Sequence, residues 1–130
     1  FLSGGIGITP IISIIRYATD MKLKPSIVLI DSNNRIEDIA FKKELDLMLK
    51  ENGSLRITHT LTDLNCDLSD WQGCKGYIAR DTIKINIPDY MERIFYLCGP
   101  PLMVDAMVKL LTDELNIKKE NIILENFFGY

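Results

Sequence analysis

The sequence predicts an α/β domain, a parallel sheet of about five strands with helices on both faces. Three observations carry this reading. Short unbroken apolar runs such as Ile27-Val28-Leu29-Ile30 read as strands covered on both sides. They alternate with longer segments in which apolar residues recur at helical spacing. Two of the runs also break into Gly- and Pro-rich turns that lead straight into a helix, at Ser3-Gly4-Gly5-Ile6-Gly7-Ile8-Thr9-Pro10 and at Cys98-Gly99-Pro100-Pro101. With 130 residues the chain has room for one domain with a real core.

Taken in order, Phe1 and Leu2 end a buried strand, and Gly4, Gly5 and Gly7 make a tight turn possible because each tolerates φ > 0 and lacks a Cβ. Thr9 suits a helix N-cap and Pro10 the first helical position. The helix from Pro10 to about Met21 packs Ile11, Ile14, Ile15 and Ala18 as one stripe, broadened by Ile12, until Lys24-Pro25 breaks it. Strand two, Ile27–Ile30, ends in the polar loop Asp31-Ser32-Asn33-Asn34-Arg35. Glu37 to Lys50 reads as a helix with Phe41, Leu45, Met48 and Leu49 on one face, stopped by Asn52-Gly53. Leu55–Leu61 alternates and is β-branched, a third strand with His59 near its C-terminal end, where a lone histidine is expected to be a hydrogen-bonded bystander. Thr62 to Gly76 is loop-like, Tyr77 to about Ile85 a short helix ending before Pro88, and Arg93–Cys98 strand four. A helix with Met103, Ala106, Met107, Leu110 and Leu111 on one face comes next, then a last strand, Asn121–Leu124.

Composition excludes several partners. Apolar residues make up 47% and charged ones 25%, and the net charge is −3, which argues against nucleic acid and anionic membranes, both bound through excess Lys and Arg. No apolar run approaches the roughly 20 residues of a membrane span, and no signal-peptide pattern is present. Cys66, Cys74 and Cys98 are too few and too irregularly spaced for a disulfide framework, a four-cysteine metal site or the four-cysteine cluster of an iron–sulfur centre, so a reducing, cytoplasmic setting is expected; pairing of Cys66 with Cys74, or their sharing a metal, is the minor alternative.

Gly4-Gly5-Ile6-Gly7-Ile8-Thr9-Pro10, Cys98-Gly99-Pro100-Pro101-Leu102-Met103 and the ending Glu125-Asn126-Phe127-Phe128-Gly129-Tyr130 together make the chain resemble the NAD(P)H-binding domain of the ferredoxin-NADP reductase family. The likeness is strongest to the reductase components of bacterial oxygenases, such as phenol hydroxylase reductase. It runs the whole length and implies a three-layer Rossmann-like sheet of strand order 3-2-1-4-5, with both turns at the switch point where ligands bind. The family also carries an N-terminal flavin-binding barrel with an Arg-x-Tyr-Ser motif. This chain has neither and reads as the nucleotide half of such an enzyme. The G-x-G-x-x-G fingerprint itself is not met, because Pro10 stands at its third glycine.

Gly4, Gly5, Gly7 and Thr9, with Ser3 before them and Pro10 after, would cradle the pyrophosphate at a helix N-terminus. The loop after strand two would meet the adenosine ribose. There Asp31 would accept from a 2′-hydroxyl and repel a 2′-phosphate, whereas Ser32 and Arg35, with Asn33 and Asn34 beside them, would accommodate the phosphate. Arg35 lies one place beyond the family's usual arginine, so the loop leans to NADH over NADPH. The resemblance implies that Cys98 sits beside the reacting carbon of nicotinamide, with Gly99, Pro100 and Pro101 fixing the turn and Met103 nearby. It implies that Glu125 and Phe127 sit at the flavin–nicotinamide junction, with Phe128 and Tyr130 as rivals for the ring that covers the flavin. The plain alternative for Cys98 is a buried apolar residue ending a strand. No metal ligands are expected.

Two functions of different class remain open. One is an oxidoreductase domain that passes hydride from NADH or NADPH to FAD held mainly by another domain, for onward transfer to an iron–sulfur or haem acceptor. The other is a non-catalytic nucleotide-binding or regulatory module. A flavodoxin-like or phosphate-signalling domain would leave the Cys98–Pro101 turn and the terminal Glu-x-Phe unexplained.

Overall fold

The computed structural model describes residues 1–126 and shows a six-stranded, all-parallel sheet. The strands are β1 (Leu2–Gly4), β2 (Ile27–Asn33), β3 (Leu55–Leu61), β4 (Cys74–Lys75), β5 (Phe95–Gly99) and β6 (Ile122–Asn126). Helices α1 (Ile8–Asp20), α2 (Lys42–Glu51), α3 (Arg80–Asn86) and α4 (Pro101–Lys109) connect them. The order is β4-β3-β2-β1-β5-β6, the expected succession with one edge strand added outside β3. β4 pairs only Cys74 with Thr60 and Lys75 with Leu61, too short to betray itself by alternation. The Trp71 indole N–H holds it by donating to the Cys74 carbonyl, 2.8 Å. Gly73 lets the chain approach, since a Cβ there would come 2.7 Å from the His59 carbonyl.

Period-two alternation sends successive strand residues to opposite faces, and two cores result. Leu2, Ile30, Phe95 and Leu97 pack with Ile83 and with Val104, Met107 and Leu111 on the α3/α4 side. Leu29, Leu55 and Cys98 pack with Ile8, Ile11, Ile15, Leu45 and Met48 on the α1/α2 side. Ile14, expected on the buried stripe of α1, is 47% exposed. On that side α1 packs on Cys98 of β5, while Ile94 (57%), Tyr96 (39%) and Ile123 (44%) lie open. No helix among the described residues is long and apolar enough to cross a membrane.

Several boundaries differ from the sequence expectation. Strand two does not stop at Ile30 but continues through Asn33, paired to β3 along its whole length. The segment expected as one helix from Glu37 is a 3-10 turn, Ile36–Asp38, then a break, then α2. Phe41 sits in that break at φ 57° and is 43% exposed, so it is not on the buried helical face. Asp38 accepts from the Arg35 amide at 3.1 Å, and this closes the 3-10 turn on itself and uncouples it from α2. Helix α3 begins at Arg80, leaving Tyr77–Ala79 as irregular chain. Beyond α4 the chain widens into a π-turn, Leu110–Glu114.

Candidate functional site

The first turn works because it presses against the second. From β1 the chain enters a 3-10 turn, Gly5–Gly7, that runs directly into α1. Gly5 takes φ +54° with open space around it and needs glycine for its conformation. Gly4 (φ −147°) and Gly7 (φ −58°) do not adopt the left-handed region expected for them, and closeness explains both. A Cβ on Gly7 would overlap the Cys98 carbonyl and lie 2.8 Å from Gly99 Cα, and one on Gly4 would overlap the Met103 sulfur. The helix starts earlier than expected, at Ile8, so Thr9 is not the N-cap. Gly7 is, and no side chain caps the helix. Pro10 still falls in the first turn, where amides have no intrahelical partner to lose. An uncapped helix start behind a glycine turn favours an anion.

In front of this turn, along the C-terminal ends of β1 and β2 on the α3/α4 side, opens a crevice of about 1060 Å³. Small-molecule sites span about 300–1,000 Å³, so the crevice has room for a ligand of dinucleotide size. Of the residues expected to bind cofactor, the crevice brings together Gly4, Gly5, Thr9, Ser32, Asn34, Pro100 and Met103, with Asn33 among them. Its far wall has no counterpart in the sequence expectation. Tyr77, Ile78, Ala79 and Arg80 come from the stretch before and at the start of α3, Thr62 from the end of β3, and Phe41 from the break before α2. Leu102, Ala106, Leu110 and Glu114 extend the α4 side. The Tyr77 ring is 80% exposed at the rim, and Arg80 is the one basic residue among the lining residues. Glycine before an aromatic, at Gly76-Tyr77, is the only sequence signal that marks this wall.

Other expected residues lie elsewhere. Asp31 is not on a loop: it is 1% exposed inside β2, and its carboxylate accepts from the Ser3 hydroxyl (2.6 Å) and the Asn33 amide (2.8 Å). It therefore does not reach a ribose. Ser3, fully buried with its hydroxyl committed to Asp31, does not reach a phosphate either. Arg35 is outside the crevice lining and its guanidinium donates to Asp63 at 2.7 Å. That bond holds the Asp63 carboxyl below the usual carboxylate range and Arg35 above its own. The loop is further stitched to the end of β3, because Asn33 and Asn34 carbonyls accept from the Thr62 and Asp63 amides, and Thr62 donates to the Asn34 side chain at 2.8 Å.

Gly7, Pro10, Gly99 and Pro101 shape the turns without lining the crevice. Cys98 is 3% exposed in the α1-side core and does not line it either. Burial, with the Glu125 carboxylate second, pushes its thiol up to about 11, so it is neutral at ordinary pH. Cys98 and Glu125 are nevertheless direct register partners on β5 and β6, and Ser3 is the partner of Cys98 on β1. Phe127, Phe128 and Tyr130 lie outside the described residues. His59, with an 11% exposed side chain, faces Asp31 and not the crevice.

Residues 1–109 match the model of the oxidoreductase NAD-binding domain. The chain belongs to this family. It is 37% identical over 131 residues to NADH-cytochrome b5 reductase 1 of Coccidioides immitis, covering 94% of this chain and 41% of that protein. It is 30% identical over 111 residues to the glycine betaine monooxygenase reductase subunit of Chromohalobacter salexigens, covering 85% of this chain and 30% of that one. Among solved structures, the CS-b5R domains of human Ncb5or in the NAD+ form superpose with a TM-score of 0.79 at 26% identity, over 95% of this chain and 35% of that chain. The chain thus spans well under half the length of these relatives.

Proposed function

We propose that this chain is the pyridine-nucleotide half of a flavin-dependent reductase. It holds NADH in preference to NADPH, presents it to FAD carried mainly by a separate flavin-binding domain, and serves an iron–sulfur or haem electron acceptor. The observation that carries this reading is the locking of the two turns, Gly7 against the Cys98 carbonyl. It sets an uncapped glycine turn and the Cys98–Glu125 pair side by side at the C-terminal ends of adjacent strands, where ligands of such sheets bind.

The residues fit a dinucleotide. Gly4 and Gly5 leave the turn's backbone approachable, the Thr9 hydroxyl is exposed beside them, and Arg80 brings the crevice a positive charge for the pyrophosphate. Tyr77 offers a free aromatic face to the adenine, Ser32 and Asn34 meet its ribose, and Leu102, Met103 and Ala106 form an apolar wall. The preference for NADH does not rest on Asp31. It rests on Asp38, which lines the crevice, and on Asp63, which neutralises Arg35 and so removes the cation that a 2′-phosphate would need. When bound, the nicotinamide supplies a hydride, and the protein's part is positioning. The neutral Cys98 thiol packs, and Glu125 orients polar groups, at the hydride end, with Phe127 as the covering ring and Phe128 and Tyr130 as rivals.

The open face of β5 and β6 supports a second domain. Ile94 and Tyr96 lie on the same side of the sheet as Cys98, and Ile123 on the same side as Glu125. With Ile14 and Tyr17 of α1 they make an uncovered apolar surface leading to that pair. The flavin-binding domain packs there. The names of the relatives, an NADH-cytochrome b5 reductase and a monooxygenase reductase subunit, support the choice of NADH and of a protein acceptor. Three free cysteines suit a reducing, cytoplasmic setting.

The test pairs calorimetric titration with NADH and NADPH with stopped-flow flavin reduction, on the protein that includes the flavin-binding domain. Tighter binding of NADH is expected. Cys98→Ala is expected to slow hydride transfer on the order of a hundredfold, as a misplacement of about 1 Å can, with affinity little changed. Absence of binding by either nucleotide would refute the reading. NADH binding without flavin reduction would make the chain a non-catalytic nucleotide module.

A further inference from the structure

Under the floor of the crevice lies a polar cluster that none of the roles above uses. The Asp31 carboxylate, 1% exposed, is met from three directions: by the Ser3 hydroxyl on one oxygen at 2.6 Å, by the Asn33 amide on the other at 2.8 Å, and by His59 Nδ1 at 3.3 Å from that second oxygen. The His59 nitrogen is within ion-pair distance but outside hydrogen-bonding geometry, and it is buried without another partner. Register explains the convergence. Ser3 pairs with Asp31 and Asp31 with His59, so β1, β2 and β3 present these side chains in one row on the α1/α2 side of the sheet. A carboxylate so deeply buried is stable only when its oxygens are satisfied, and here the Ser3 hydroxyl and the Asn33 amide satisfy one oxygen each.

What it fixes is the crevice. Ser3 immediately precedes Gly4-Gly5, and Asp31 immediately precedes Ser32; Gly4, Gly5 and Ser32 line the crevice, while Ser3 and Asp31 sit behind them. The β1–β2 ladder ends one row further on, at Gly4 and Ser32, so the Ser3–Asp31 bond is the last side-chain link before the two strands reach the crevice. The Asn33 bond carries the link onward. The same residue accepts the Thr62 amide through its carbonyl at 3.0 Å, and both Asn33 and Thr62 line the crevice.

We propose that Asp31 is a positioning residue for the nucleotide site, its buried carboxylate setting the phosphate turn after β1 at the working distance from the Ser32–Asn34 edge of β2. It acts by accepting hydrogen bonds and touches no ligand. The proposal rests on the dinucleotide reading of the crevice, and it reassigns Asp31 from ribose recognition to support of both walls.

The experiment measures ADP-ribose and NADH binding by calorimetry on the full chain, with thermal unfolding alongside to confirm that each variant is folded at the titration temperature. Asp31→Val removes both acceptor oxygens and is expected to weaken ADP-ribose about tenfold, the equivalent of one net hydrogen bond. Asp31→Asn, which can still accept from one neighbour and donate to the other, is expected to restore most of that loss. Ser3→Ala, a smaller change that keeps the fold if the valine variant does not, is expected to weaken binding several-fold. Folded Val and Ala variants that bind ADP-ribose as tightly as the unmodified chain would overturn the positioning role and leave a purely structural one. If the unmodified chain binds neither probe, the dinucleotide reading falls, and the proposal with it.

Discussion

Replacing Gly7 by alanine tests the locked turns at their point of contact. The added methyl would overlap the Cys98 carbonyl and stand 2.8 Å from Gly99 Cα and 2.5 Å from the Cys98 carbonyl carbon. Ordinary carbon contacts need about 3.5–4.0 Å, so the 3-10 turn must lift from β5 by roughly 1 Å. Every close neighbour is backbone, so no flexible side chain can give way. Overpacking of this kind costs typically 1–3 kcal/mol, and the same lift moves the glycine turn relative to Cys98. Urea unfolding is expected to show a loss of about 2 kcal/mol, and stopped-flow flavin reduction a fall on the order of a hundredfold at saturating NADH. Gly5→Ala is the control: nothing lies within 4 Å of its Cβ, and its cost is the left-handed backbone alone, about 1–2 kcal/mol, without displacement of β5. Equal effects of the two substitutions on hydride transfer, or none from Gly7→Ala, would refute the view that the turns position each other.

Asp63→Ala is expected to free Arg35 and narrow the NADH over NADPH preference several-fold in calorimetric titration, an effect that shrinks with added salt because the pair is exposed. An unchanged ratio would remove the Arg35–Asp63 pair from nucleotide selection. Cys98, its thiol raised to about 11 from 9.0 by burial, is expected to resist iodoacetamide at pH 8 while Cys66 and Cys74, both only partly buried, are alkylated. The linked stability has a definite sign: it is fully present below pH 9.0 and lost as pH rises through about 11, since the unfolded thiol ionises first. Rapid labelling of Cys98 in the folded protein would contradict its placement.

Five of the six strands and both turns are legible in the sequence because they depend on local chemistry: unbroken apolar runs, glycines where the backbone must come close, and proline where a helix begins. The order of the strands follows only from the family resemblance, and β4, two residues long, leaves no pattern. Asp31 is not, for a physical reason. A carboxylate at the head of a polar run reads as loop, and only the register of three strands reveals the donors, Ser3 and Asn33, that make its burial tolerable. Phe41 escapes because its spacing suits a helical stripe, whereas its φ of 57° depends on the chain turning back between two short elements. The far wall escapes because Tyr77 and Arg80 have no periodicity of their own, and become a site only when α3 is folded opposite α4. Thr9 reads as a cap although it lies inside the helix, since nothing local distinguishes a 3-10 turn running into a helix from a loop capped by its hydroxyl.

The π-turn after α4 bears on how the chain tolerates changes of length. Glu125 meets Cys98 through the β5–β6 ladder, in which Phe95 through Gly99 pair in unbroken register with Ile122 through Asn126. That pairing is set by the two strands and is indifferent to how many residues the crossover between them contains. A wide turn such as Leu110–Glu114 is how a helix absorbs one residue too many, leaving the next strand in place. The surplus is not idle, because Leu110 and Glu114 both face the crevice. Additions or losses of single residues between Leu102 and Glu114 would therefore reshape the crevice wall while leaving the spacing between Cys98 and Glu125 untouched, so the crevice and the Cys98–Glu125 pair can change independently.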